Sequence, residues 1–150
     1  MVKTNQEKIE RARQKAYESK QRSFERMVAR RKAKMESTLT AAIRKVKEEA
    51  RQDCWCTIHD SCFRYYEGET DNHVRAKFER FLHWRKYGAS VFTELILKNG
   101  KRPDLIICLN NGEVFIEEIL ESEKEENILL NKKEAYPFKI YSFKAIDIIK

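Results

Sequence analysis

Neither proline nor glycine occurs between residues 4 and 51 of this 150-residue chain. Ala, Lys, Arg, Glu and Gln dominate the stretch, and all of them favour helix. Proline and glycine are the residues that most strongly break a helix, so the stretch predicts one continuous α-helix. We describe residues 1–53 as a basic helical arm.

The apolar residues of this arm recur every three or four positions, as expected for one side of a helix. They are Ile9, Ala12, Ala16, Phe24, Met27, Val28, Met35, Leu39, Ala42, Ile43, Val46 and Ala50. The early ones are mostly small, so the apolar stripe is thin. Such a helix is expected to pair with a copy of itself in a coiled-coil homodimer, to dock its second half on the rest of the chain, or to lie along nucleic acid. The sequence leaves these alternatives open.

The net charge of +7 is concentrated in the arm. Residues 1–53 carry 16 Lys and Arg against 8 Asp and Glu, whereas residues 54–150 carry 15 against 16. Cations that neutralise phosphates gain affinity by releasing counterions, so the arm suits a polyanion, while a merely solvated helix is the alternative. The candidate contacts to a nucleic-acid backbone are Arg30, Arg31, Lys32 and Lys34.

The chain lacks the sequence features of membrane-spanning and secreted proteins. No stretch reaches the roughly 20 apolar residues that cross a bilayer, and the N-terminus is charged. Three of the four cysteines lie within nine residues, which is not the spacing of a secreted disulfide framework. We therefore expect a cytoplasmic protein, in the host cytoplasm if the chain is viral, with one compact domain beside the arm.

Residues 54–72 form an irregular connector that contains a C-x-C-x-x-H-x-x-C cluster. Its members are Cys54, Cys56, His59 and Cys62. Thiolates and imidazole suit tetrahedral Zn²⁺, although the spacing is tighter than in common zinc fingers. The alternative is that reduced cysteines pack beside Trp55 and Phe63.

Residues 73–150 show the pattern of a mixed α/β domain. A helix is predicted over 73–87, with Gly88 where a left-handed cap would end it. Two turn signals, Asn99-Gly100 and Asn110-Asn111-Gly112, separate three apolar runs. These runs predict an antiparallel meander with strands near 90–97, 102–109 and 113–120.

A further helix and a further strand follow the meander. The polar stretch 121–135 predicts a helix, and Pro137 opens a last run, 138–149, that begins as a strand. The predicted order is therefore αβββαβ, with the sheet flanked by helices.

Acidic residues occur inside the predicted strands, where a carboxylate needs a cation or hydrogen bonds to replace its hydration. They are Glu94, Asp104 and the pair Glu117 and Glu118. Oxygen ligands on adjacent strands suit Mg²⁺ or Mn²⁺, and water bound to such an ion can act as a nucleophile.

The length of the second turn decides which glutamate meets Asp104. A three-residue loop, Asn110–Gly112, places Asp104 opposite Glu118, whereas a two-residue loop makes Glu117 share its face. We favour Glu118 and keep Glu117 as the alternative.

The order of these residues resembles a known nuclease superfamily. Arg102-Pro103-Asp104 followed by Glu118 is similar to the PD-(D/E)XK signature. The longer pattern resembles the competence-protein CoiA-like branch: Glu69-Thr70-x-x-His73-x-x-x-Lys77, Gly88, Glu94, Gly100-x-Arg102-Pro103-Asp104 and Glu118-x-x-x-Ser122. The likeness covers residues 69–143 and implies a restriction-endonuclease-like fold and a metal-dependent nuclease acting on DNA, most simply double-stranded DNA.

The resemblance also implies roles for single residues. Asp104 and Glu118 would hold the metal, Glu94 would assist, and Lys77 would contact phosphate. His73 and Arg102 would be further polar contacts to nucleic acid.

One position departs from the family pattern. Leu120 stands where the family has Lys or Gln, and leucine cannot polarise water or offset charge on phosphate. Either a lysine from a helix replaces it, or the site is slow or inactive; the candidates are Lys77, Lys124, Lys132 and Lys133. The alternative function is a noncatalytic nucleic-acid-binding or assembly protein on a nuclease-like fold.

Overall fold

The computed structural model describes residues 5–53, 59–121 and 135–149. The predicted N-terminal helix is confirmed as α1, Asn5–Glu49. The chain forms two compact units, Met1–Ser37 and Thr38–Lys150. None of the helices in the described ranges combines the length and the apolar character needed to cross a bilayer.

The first unit, as far as it is described, is the exposed first part of α1. Every residue from 5 to 37 is exposed. Pairs one turn apart support it, such as Gln14 Nε2 to Glu18 Oε1 at 3.0 Å and Lys32 Nζ to Glu36 Oε1 at 4.0 Å. Such pairs contribute only about 0.2–0.5 kcal/mol each, so good intrinsic helix formers are the main support of this part.

In the second unit, the last turns of α1 pack against a sheet. Ala42, Val46 and Ala50 are buried there in one apolar cluster with strand residues. The backbone also pairs, since Arg51 N donates to Ile96 O at 2.9 Å and Lys98 N to Glu49 O at 2.9 Å. Of the three alternatives for this helix, docking on the rest of the chain is therefore observed, but for its last turns rather than for its whole second half.

Helix α2, Asp71–Lys86, confirms the second predicted helix. The Thr70 side chain caps it by accepting from His73 N at 3.3 Å. Gly88 follows it with a φ of 76°, a conformation that glycine adopts without strain.

The sheet has four strands in the order β1-β2-β3-β4. They are β1 Ser90–Thr93, β2 Leu105–Cys108, β3 Val114–Leu120 and β4 Lys139–Lys144. Strands β1 to β3 form the predicted antiparallel meander, and β4 runs parallel to β3. A short helix, α3 Ala145–Ile148, follows β4.

The first strand is shorter than predicted. The sequence indicated a strand to residue 97, but β1 ends at Thr93 because Glu94 takes a φ of 57° and turns the chain. Leu97 pairs instead with Ala50 in an isolated bridge. The helix predicted over 121–135 falls largely on residues 122–134, which lie outside the described residues.

The two faces of the sheet carry separate apolar clusters. One joins α1 to Phe92, Ile106 and Ile116, and the other joins α2 to Val91 and Ile107, among others. Strands β1 to β3 are therefore buried on both faces and read as nearly continuous apolar runs, whereas the edge strand β4 is largely exposed or partly exposed. The class is mixed α/β, with a four-stranded mixed sheet flanked by helices.

Candidate metal centre

The register of β2 and β3 places Asp104 and Glu118 at facing positions. Leu105 pairs with Glu117, and Leu109 N donates to Glu113 O at 2.9 Å, so the loop is the three residues 110–112. One step beyond Leu105, Asp104 lies opposite Glu118. Ile119 N donates to Asp104 Oδ2 at 2.7 Å and fixes that carboxylate beside β3.

Glu69, His73 and Asp104 form a group with metal-ligating atoms close together. His73 Nε2 lies 3.1 Å from Asp104 Oδ1 and 3.6 Å from Glu69 Oε1. One ligand atom from each residue lies within 4.8 Å of the others. In the described part of the chain this is the one such group of three.

The position of α2 brings these residues together. Glu69 directly precedes the capping residue Thr70, and His73 lies in the first turn, so both project from the start of the helix. Asp104 comes from the entry to β2. Thr70 Oγ1 also donates to Glu121 Oε1, which ties the start of α2 to the end of β3.

The charges within the group favour an ionised Asp104 beside a protonated His73 when no metal is bound. The hydrogen bond with Asp104 raises the pKa of His73 despite burial. Burial acts to raise the pKa of Asp104, but His73 and the Ile119 amide outweigh it and hold that pKa below its usual range.

The two carboxylate oxygens of Glu69 differ in their contacts. Its Oε1 accepts from Lys77 Nζ, while its Oε2 is buried and has no hydrogen-bond partner among the described residues. A buried carboxylate oxygen without a partner is costly, and a cation would satisfy it. Two carboxylates and one imidazole form a mixed oxygen and nitrogen set, which suits Mn²⁺ better than Mg²⁺.

Lys77 and Glu94 form a buried ion pair next to this group. Lys77 is fully buried, and its Nζ lies 2.6 Å from Glu94 Oε1. Burial raises the pKa of Glu94, and the neighbouring Lys77 opposes that rise. Lys77 thus joins Glu69 and Glu94 through one ammonium group.

Arg102 is the partly exposed cation of the site. Its Nε lies 3.0 Å from Glu94 Oε2, and its guanidinium lies over the Tyr66 ring at 4.2 Å from the centroid. Its side chain is 38% exposed, so it can reach a ligand that approaches from solvent.

Glu118 is buried, and Tyr136 OH donates to its Oε1 at 2.7 Å. Burial raises the pKa of Tyr136, and the negative charges of Glu118 and Asp104 raise it further. The hydroxyl therefore contacts one of the two predicted metal-binding carboxylates, Glu118.

Glu117 faces the opposite side of the sheet, as consecutive strand residues do. Its Oε1 and Oε2 are held by Arg80 and by Trp84 Nε1, with Arg80 Nε to Oε2 and Trp84 Nε1 to Oε1 each at 2.9 Å. These contacts join α2 to β3. Glu117 therefore has a structural role and does not lie beside Asp104.

The structure thus brings the predicted residues together only in part. His73 and Asp104 are in contact, and Lys77, Glu94 and Arg102 form the adjoining ion pairs. The predicted trio of Glu94, Asp104 and Glu118 is not grouped around one point; Glu69 and His73 take the places beside Asp104.

Other predicted sites are less fully described. Cys54 and Cys56 lie outside the described residues, as do Lys124, Lys132 and Lys133. His59 and Cys62 are exposed. The Zn²⁺ site therefore stays a prediction. The four basic residues of 30–34 are exposed on α1, where successive residues point about 100° apart.

Sequence reasoning gave Glu69 no role and missed Tyr136 altogether. The available signal was the place of Glu69 in the family-like pattern Glu69-Thr70-x-x-His73-x-x-x-Lys77. No local pattern marked Tyr136, whose contact with Glu118 depends on how β4 returns beside β3.

Comparisons with known protein families, with curated proteins and with solved structures found no match to this chain.

Proposed function

We propose that this protein is a metal-dependent nuclease that hydrolyses phosphodiester bonds, in double-stranded DNA in the first instance. The observation that carries the proposal is the group of Glu69, His73 and Asp104, with its buried, unpartnered Glu69 oxygen. Two carboxylates and an imidazole that converge in a partly buried position suit a cation, and a divalent ion beside basic side chains is a common arrangement for phosphoryl chemistry.

The strand order supports a finer proposal about the fold. An antiparallel meander followed by a strand parallel to β3 is the arrangement that a restriction-endonuclease-like αβββαβ core requires. Asp104 at the entry to the second strand and Glu118 within the third then occupy the two acidic positions of the PD-(D/E)XK pattern. We therefore propose membership of that superfamily, with the CoiA-like branch as the nearest pattern.

The residues of the site would have different roles in hydrolysis. Asp104, Glu69 and His73 hold the divalent cation, with Glu118 facing Asp104 across the strand pair. When bound, the cation supplies Lewis acidity that lowers the pKa of a water and offsets charge on the phosphate. Asp104 is suited to binding because its lowered pKa keeps it ionised, and Ile119 N fixes its orientation.

Lys77 is our candidate for the positive charge that Leu120 cannot supply. It reaches the carboxylates from α2. Its ammonium contacts Glu94 and also Glu69, which is one of the proposed metal ligands. Arg102, which is partly exposed, would contact the phosphate of the substrate. Glu94 assists by holding the Lys77 and Arg102 side chains in place.

The direct test is cleavage of plasmid and linear DNA by the purified chain with Mg²⁺, Mn²⁺ or EDTA. We expect Mn²⁺-dependent cleavage that falls at least roughly 100-fold in Asp104→Asn and in Glu69→Gln. Glu79→Gln, an exposed glutamate of α2, is the matched control and should cut normally. Undiminished metal-dependent cleavage by Asp104→Asn would contradict the proposal.

A second function is favoured by Leu120 and by the full engagement of Lys77 with two carboxylates. In this alternative the chain binds nucleic acid or supports an assembly without cutting. A gel shift with no metal-dependent nicking by the unaltered protein would select it. Self-association through the N-terminal helix stays a prediction in either case.

A further inference from the structure

A row of cations runs along one side of the exposed part of α1. Its members recur at intervals of three, four or seven positions, so they fall within about 100° of arc around the helix. They are Lys8, Arg11, Lys15, Arg22, Arg26 and Arg30. We refer to these six residues as the cation row.

The cation row is long and only lightly neutralised. From Lys8 to Arg30 it extends for about 33 Å, at 1.5 Å per residue. Glu18 approaches it, with Arg22 Nη2 at 4.0 Å from Glu18 Oε2, but both side chains are largely exposed. Lys15, Ser19, Arg22, Ser23 and Arg26 line a shallow groove together with Glu18, and the serines add hydrogen-bond donors between the cations.

The basic run 30–34 does not form such a surface. Because successive residues point about 100° apart, Arg31 lies on the side opposite the cation row, and Lys32 and Lys34 lie on either flank. Only Arg30 belongs to the row. The basic residues of 30–34 are adjacent in the sequence but point to different sides of the helix. The members of the cation row are spaced apart in the sequence but lie on one side of the helix.

We propose that the cation row binds the phosphate backbone of double-stranded nucleic acid. A straight line of guanidinium and ammonium groups with interspersed hydroxyls matches a line of phosphates, and it offers no means of reading bases. The surface is complete within residues 8–30, so binding does not depend on the proposed nuclease activity.

An anionic membrane surface fits this helix less well. Interfacial helices need a continuous apolar face to bury among the lipid chains. The side opposite the cation row carries Ile9, Phe24 and Met27, but Arg13, Lys20 and Arg31 lie among them. Burying that face would bury these three cations, which is costly.

The test compares two triple variants with equal loss of charge. The row variant carries Lys15→Gln, Arg22→Gln and Arg26→Gln, and the control carries Arg13→Gln, Lys20→Gln and Arg31→Gln. Glutamine has a helix propensity close to that of lysine and arginine, and circular dichroism checks that α1 is retained. Affinity for a 30-base-pair duplex is measured in EDTA by fluorescence anisotropy over a series of salt concentrations.

We expect the row variant to lose about 100-fold in affinity near 0.1 M salt, and its salt slope to fall in magnitude by about 2–3. The control should lose less than about one unit of slope. Equal losses in both variants would overturn the proposal, as would binding to phosphatidylserine vesicles without binding to the duplex. Because EDTA prevents cleavage, an inactive metal centre would leave these results unchanged.

Discussion

At the scale of single residues, the site is defined by the ion pairs and hydrogen bonds that its buried charged side chains make. Lys77 lies between Glu69 and Glu94, while Glu117 is held by Arg80 and Trp84. Removing one member of a buried ion pair is strongly destabilising, so these contacts restrict what can be changed in the site. The pair formed by His73 and Asp104 is the one whose strength should depend on pH near neutrality.

The pKa of His73 is raised by its hydrogen bond with Asp104 above the usual value of about 6.5. Its contribution to stability is therefore complete below about pH 6.5 and is lost as pH rises through the raised pKa. The pKa of Asp104 is lowered, so its contribution is complete above about pH 4 and is lost as pH falls below that. Between these limits the pair contributes fully.

We predict that His73→Gln, which keeps a hydrogen-bond donor but removes the charge, destabilises the metal-free protein by about 1–2 kcal/mol near pH 5.5. The loss should shrink toward zero near pH 9. Urea unfolding in EDTA at both pH values measures it, with His83→Gln as the exposed-histidine control on the same helix. A loss of the same size at both pH values would show that the charge pair does not act in this way.

The sequence predicted the chemistry of several residues but not their partners. Glu94, Asp104 and Glu118 were singled out because carboxylates inside apolar strands need compensation. Of the three, Glu118 alone lies inside a strand, since β1 ends at Thr93 and β2 begins at Leu105, but all three have polar partners. Which partner each one has depends on contacts between α2 and the sheet that are far apart in sequence. The grouping of Asp104 with Glu69 and His73 was therefore not predictable from local pattern.

At the scale of elements, the turn between β2 and β3 sets the register of the site and also touches α1. Gly112 has a φ of 89°, and a Cβ at this position would lie 2.8 Å from Thr38 Cγ2. Thr38 begins the part of α1 that packs on the sheet. The turn thus needs glycine for its backbone conformation and also for space.

We predict that Gly112→Ala destabilises the fold by about 2–4 kcal/mol, from left-handed strain of about 1–2 kcal/mol together with the contact to Thr38. Gly100→Ala is the matched control: its φ is 78°, but nothing lies within 4 Å of the added methyl group. Gly100→Ala should therefore be destabilised only by the left-handed backbone strain. Chemical denaturation of both variants gives the comparison, and equal losses would mean that Thr38 moves aside without cost.

The elements themselves were largely predictable, for identifiable reasons. The absence of proline and glycine indicated α1. The Asn-Asn-Gly turn allowed two loop lengths, and the favoured one, with three residues and Asp104 facing Glu118, is observed. The end of β1 was not predictable, because a positive φ at a glutamate has no local sequence signal. The docking of only the last turns of α1 was not predictable either, because Phe24, Met27 and Met35 continue the apolar stripe through the exposed part, while the buried residues at the docked end, Ala42, Val46 and Ala50, are smaller.

At the scale of the whole molecule, the cation row and the candidate metal centre both suit a nucleic-acid partner. The exposed arm carries a line of cations, and the sheet-containing unit carries a partly buried group of two carboxylates and an imidazole, beside which Arg102 is partly exposed. Both are what a protein that binds and cuts a phosphate backbone would need. We propose that a divalent cation binds between Glu69, His73 and Asp104.

Diffraction from crystals soaked in Mn²⁺, with data collected for anomalous scattering, would locate that cation. We predict one strong anomalous peak within coordination distance of Asp104 and of at least one of Glu69 and His73, and its loss in Asp104→Asn crystals. The claim is contradicted if the soaked crystals show no peak there while the three side chains keep the contacts described above.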